Sequence, residues 1–119
     1  MKRSEINHAI SNAKILIDEY KWALPKWAYW SKSDYDAQPA VAEYLRTHQM
    51  GWDVTDFGRG NFNKEGIILF CVRNGMQNID NEKPYAEKLL FMQEDQVIPF
   101  HSHKIKLEDI INRGGGNLV

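Results

Sequence analysis

The sequence predicts an α+β fold that is mainly β, with N-terminal helices packed on a β domain, and three observations carry that expectation. Ile6, Ile10, Ala13, Ile17 and Tyr20 recur at alternating steps of four and three, the spacing of one stripe on an amphipathic helix. Pro39 is followed by the helix-compatible run VAEYLRTHQ. From Trp52 onward the period changes to short β-prone runs separated by Gly, Asn, Asp and Pro. A chain of 119 residues can bury one core and has little length for a second. The expected division is a helical, Trp-rich arm over 1–51 and the first part of a β domain over 52–119.

Taken in order, the first helix is expected to start after the N-cap residue Ser4 and to run to about Tyr20. The segment KWALPKWAYWSKSDYDAQPA sets Trp22, Trp27 and Trp30 around Pro25 without a regular period. It reads as an irregular packed arm that either covers a core or lines a cleft. A second helix should run from Pro39 to Gln49 with Gly51 as its stop, leaving His48 near its C-terminus, where a cation is mildly favoured. WDVTDFG, GIILFCVRNG, YAEKLLFMQ and QVIPFHSH then read as strands. Asp56-Phe57-Gly58 spells a magnesium triplet of kinases, but no catalytic loop or strand lysine accompanies it. GRGNFNKEG has no strand-to-helix context and reads as a loop between strands.

Composition narrows the function. Fifteen basic residues against 16 acidic ones give a formal net charge of -1, which leaves no electrostatic footprint for nucleic acid or anionic lipid and favours a small neutral ligand. Cys71 is the only cysteine, so an internal disulfide and a cysteine-based zinc site are excluded, and in IILFCVRN it reads as a small buried hydrophobe. The apolar positions near the N-terminus are interrupted by Asn, Lys and Asp, and no run approaches the roughly 18 apolar residues of a membrane span. The expectation is a cytoplasmic protein.

The chemistry is concentrated in PFHSHKIKLEDIINRGGGNLV, residues 99–119. On a strand, His101 and His103 would share a face about 7 Å apart at Cα. If KIKL turns the chain into the next antiparallel strand, Glu108 returns across the sheet toward the imidazoles. Two imidazoles and a carboxylate suit a divalent first-row metal with open positions, with zinc, iron and manganese all open on ligand type alone. An HxH pair by itself is common on ordinary surface strands, and the added Glu and glycine cluster separate this stretch from that background. If the next strand begins early enough, Lys106 shares strand parity with Glu108 and its ammonium faces the same cavity, where it can hold a substrate oxygen as a catalytic group; otherwise it is a solvated turn residue. Lys104 reads as solvent-facing, Arg113 receives no assigned role, and Gly114, Gly115 and Gly116 allow a bend. His8 and His48 read as helix-surface residues.

The spacing His101, His103, Glu108, Gly115 resembles the first metal motif of the cupins, small antiparallel β-barrels or jelly rolls, except that Asp95 stands where a glycine usually precedes the first histidine. HSHKIKLEDIINRGGG, the helical start SEINHAI, the Trp-rich arm and VTDFG together resemble the D-lyxose isomerase family of cupin sugar isomerases. The resemblance implies a cupin barrel and a manganese-dependent interconversion of an aldose and a ketose, D-lyxose with D-xylulose or D-mannose with D-fructose. It also implies a monosaccharide substrate, a homodimer, and His101, His103 and Glu108 as three of four protein ligands to Mn2+. The family's fourth ligand is a histidine of a second motif that would fall beyond Val119. The expectation is therefore an incomplete barrel with weak or absent activity of its own. The competing readings are a cupin dioxygenase holding Fe(II) on the same ligands and a non-catalytic sugar-binding module.

Overall fold

The computed structural model describes residues 1–119, and its first element is helix α1, Arg3–Glu19. The helix begins before Ser4 because the Glu5 carboxylate accepts the Lys2 backbone N–H at 2.6 Å, satisfying a donor one turn earlier. Its core-facing line is Ala9, Ala13 and Ile17, with Ile6 and Ile10 half-buried beside it and Tyr20 exposed. The expected stripe is thus rotated toward the alanines. Small side chains there let the helix lie close against the sheet.

The Trp-rich arm covers the core. It contains a 3-10 turn, Lys26–Tyr29, and a short helix α2, Lys32–Ala37, which the periodicity did not predict. The missed signal was local: Ser31 caps α2, its backbone N–H reaching the Asp34 carboxylate at 2.8 Å and its hydroxyl accepting from the Asp34 N–H at 3.4 Å. That backbone N–H of Ser31 holds the Asp34 carboxyl below its ordinary range. Helix α3, Pro39–Thr47, carries proline at its first turn as expected, and its buried residues are Ala42 and Leu45.

Strands β1 (Gly51–Thr55), β2 (Ile67–Asn74) and β3 (Ala86–Phe91) form an antiparallel sheet in that order. Register stacks Trp52, Phe70 and Leu89 in one row and Val54, Ile68 and Phe91 in the next; Phe70, Ile68 and Phe91 form the buried core with Ala9, Ala13 and Ile17, and the half-buried Trp52, Val54 and Leu89 pack against it. The Trp27 ring lies on Phe70 at 5.1 Å, and Trp52 meets Phe70 edge-on at 4.8 Å while donating its indole N–H to the Ala28 carbonyl at 2.8 Å. Cys71 is buried on the opposite face. Between β2 and β3 the chain closes tightly, and a Cβ on Gly75 would overlap the Lys83 carbonyl.

Two expectations are corrected. The fold is α+β, but the helices hold more residues than the strands, so it is not mainly β. QVIPFHSH forms no strand: only Val97 makes a parallel bridge, to Glu65, and no ladder continues through 98–119. A strand needs a paired neighbour for its backbone groups, and Pro99 lacks the N–H to donate. The sheet is small and open, with β1 and β3 as its edges. No helix is long and apolar enough to cross a membrane.

His48 is also corrected, from a helix-surface residue to a buried one. Its Nε2 lies 2.7 Å from a Glu82 carboxylate oxygen and its Nδ1 2.8 Å from the Tyr44 carbonyl, with the Tyr44 ring stacked at 3.8 Å. Both ring nitrogens face acceptors, so this geometry calls for the imidazolium. Asn74 donates to the His48 carbonyl at 2.7 Å, so the residue ties α3 to β2 and to the β2–β3 connection. The Glu82 carboxylate, with the Tyr44 carbonyl, holds the His48 pKa above its ordinary 6.5, and His48 in turn holds Glu82 below 4.5. The raised histidine contributes stability that is complete below 6.5 and lost as pH rises through its folded pKa; the lowered glutamate contributes stability that is complete above 4.5 and lost as pH falls through its own. The pair therefore acts fully between those values. In urea unfolding across pH, His48→Gln is expected to remove the decline on the alkaline side and to lower stability within the window.

Candidate metal centre

His101, His103 and Glu108 come together without the strands that were expected to align them. A bend at Lys104–Ile105 turns the chain so that Glu108 reaches back, and its Oε2 lies 2.6 Å from His103 Nε2. The His101 and His103 rings meet edge to face with centroids 4.9 Å apart. One donor atom from each of the three residues lies within 4.8 Å of the others, and this is the chain's one such group of three or more His, Cys, Asp or Glu side chains.

The donor set fits a divalent cation. Bonds of about 2.1 Å place neighbouring donors about 3 Å apart and opposite donors about 4 Å apart, so small side-chain adjustments convert the observed spacing into coordination. His101 Nδ1 lies 2.9 Å from the Pro99 carbonyl oxygen, which can only accept, so Nδ1 carries the proton and Nε2 keeps a free lone pair. The same second bond fixes the ring's orientation. His103 and Glu108 are 40% and 45% exposed, so solvent screens their mutual attraction and the pair alone contributes little to stability.

Lys106 is not aligned with Glu108 by strand parity, because no strand runs there. It is exposed and makes no ion pair with Glu108. Its charge acts instead on the Cys71 thiol, whose pKa is pushed up by burial and drawn partly back by Lys88 and Lys106. His8 is exposed on α1 and sits 3.3 Å from the Asn12 amide, away from the donor set. The Asp56-Phe57-Gly58 triplet is a turn after β1, closed by the Gly58 N–H on the Asp56 carboxylate at 3.0 Å. Arg113 lies over the Trp22 ring at 5.7 Å.

Comparison with known proteins adds a family context. The profile of the D-lyxose isomerase family matches residues 1–119. A D-lyxose/D-mannose isomerase of Escherichia coli O157:H7 is 41% identical over 121 residues, and one of Serratia proteamaculans is 39% identical over 123 residues. Each alignment takes in 100% of this chain and 53% of the relative. The chain spans about half the length of the curated relatives it matches.

Proposed function

The chain belongs to the D-lyxose isomerase family, and on that premise we propose that His101, His103 and Glu108 hold a divalent cation, Mn2+, for the interconversion of D-lyxose with D-xylulose. D-mannose with D-fructose is the second sugar pair, because the curated relatives carry both sugars in their names. The observation that carries the reading is the convergence of two imidazoles and a carboxylate within 4.8 Å on an otherwise irregular segment. We read the chain as an N-terminal arm over 1–51 followed by the first part of a cupin barrel over 52–119, in a cytoplasmic homodimer. Family membership favours the isomerase over the Fe(II) dioxygenase.

An aldose-ketose isomerase moves a proton between adjacent carbons, and a bound divalent cation supplies the Lewis acidity that makes the sugar's oxygens tolerate the developing charge. The chain's own groups prepare that step. The Pro99 carbonyl fixes His101 in the tautomer that binds through Nε2. Glu108, spent as a ligand, is not free to carry a carbon-bound proton. Lys106 is the group we assign to a substrate oxygen: it is exposed, and the Glu108 carboxylate pairs with His103 rather than with its ammonium. His48 is committed to Glu82 and Tyr44 and serves no role in the centre.

Three exposed ligands without a free base support metal binding better than turnover. The isolated chain is expected to bind Mn2+ weakly and to convert D-lyxose slightly or not at all. With Mn2+ present, D-lyxose should raise the unfolding midpoint beyond the effect of the cation alone, and without Mn2+ it should not. A sugar-induced shift that is independent of the cation would contradict the proposal. Oxygen uptake with Fe(II) would favour the dioxygenase.

A further inference from the structure

The donor segment is held at its two ends and free between them. At its entry, Gln96 is buried and donates to the Phe62 carbonyl at 2.6 Å, while Val97 donates to the Lys64 carbonyl at 2.8 Å and accepts from the Gly66 N–H at 3.2 Å. From His101 onward every residue is exposed, and the hydrogen bonds stay within the segment. Contact with the body returns at Arg113 and Gly114. The Asn112 side chain ties the turn, accepting from the Gly114 N–H at 3.2 Å and donating to the Gly116 carbonyl at 3.0 Å. Gly114 lies so close to the end of α1 that a Cβ there would sit 2.7 Å from Tyr20 Cε1, and its φ of +152° strains any other residue. Arg113 covers Trp22 at 5.7 Å.

The surface that receives this turn is fixed. Trp22 N–H closes on the Ile17 carbonyl at 3.1 Å, after Lys21 takes a positive φ of 54°, and the Trp22 ring packs against the core cluster. A loop with both ends held samples fewer conformations than one tethered at a single end, so less entropy is lost when its donors gather on a cation.

We propose that Tyr20 and Trp22 are positioning residues: by seating the Arg113–Gly114 turn on the end of α1, they hold the far end of the loop that carries His101, His103 and Glu108. The proposal rests on those three being cation ligands. It is tested by Mn2+ titration of the full chain, followed by electron paramagnetic resonance, with Tyr20→Ala and Gly114→Ala as the disrupting variants. Each is expected to weaken binding on the order of 10-fold, the lower end of the cost of losing a ligand's support. Tyr20→Phe keeps the ring and should bind as wild type. Gly116→Ala should also do so, since nothing lies within 4 Å of a Cβ there. The d–d absorption of Co2+-saturated Tyr20→Ala should match wild type, because the donors themselves are unchanged. Wild-type Mn2+ affinity in both Tyr20→Ala and Gly114→Ala would overturn the proposal if His103→Ala loses the cation in the same titration. If His103→Ala also binds as wild type, the ligand assignment has failed and the positioning role falls with it.

Discussion

Replacing His103 by alanine is expected to weaken Mn2+ binding on the order of 100-fold or more, beyond the cost of removing a ligand's supporting partner. The substitution removes one of three donors. It also removes the partner that holds the Glu108 carboxylate at 2.6 Å, so the remaining carboxylate loses its orientation toward the site. Glu108→Gln keeps the side chain's size but discards its charge, and it should weaken binding to a similar extent. His8→Ala is the contrasting variant, since that imidazole is exposed on α1 beside Asn12 and should leave affinity unchanged. Titration of each variant with Mn2+, read by the loss of the free-ion resonance signal, distinguishes these outcomes. Equal loss in His8→Ala would point to general damage rather than to a lost ligand.

Phe70→Ala is expected to cost about 3–5 kcal/mol of folding stability, the range for emptying a buried aromatic site. Phe70 has 0% exposure, and it stands at the centre of the sheet between Trp27 and Trp52. The Trp52 indole is itself held by its hydrogen bond to the Ala28 carbonyl, so it cannot collapse fully into the vacated space. Only 15 of 119 residues are buried, so this cost is a large part of what a small domain has available. Urea unfolding followed by tryptophan fluorescence should show a much lower midpoint and a red-shifted native baseline. Leu90→Ala, on a side chain 40% exposed on the opposite face, should shift the midpoint little. A midpoint for Phe70→Ala close to wild type would place the core elsewhere.

What could be read from the chain was what its local patterns encode. The step-of-four-and-three apolar spacing gave α1, Pro39 gave the start of α3, and three of the four β-prone runs between glycine and asparagine clusters gave β1, β2 and β3. The features that escaped depend on partners distant in sequence. His48 could be placed near a helix end, but its burial comes from Glu82, 34 residues away, which no periodicity connects to it. Helix α2 escaped for the opposite reason: its signal was a single cap, Ser31 with Asp34, inside a segment dominated by tryptophans. The donor set was legible as residue types and spacing. Its geometry was not, because strand alternation does not operate there: a bend at Lys104–Ile105 brings Glu108 to His103. Strand parity fails for Lys106 in the same way, and Glu108 pairs with His103.

The proposed centre for a divalent cation in this chain of the D-lyxose isomerase family is His101, His103 and Glu108. Electron spin-echo envelope modulation of the Mn2+-loaded wild-type chain tests it most directly, since imidazole nitrogen bound to Mn2+ modulates the echo and water does not give that signal. The expected spectrum contains two imidazole nitrogens. A spectrum without nitrogen modulation, from Mn2+ held by oxygen donors alone, would contradict the claim.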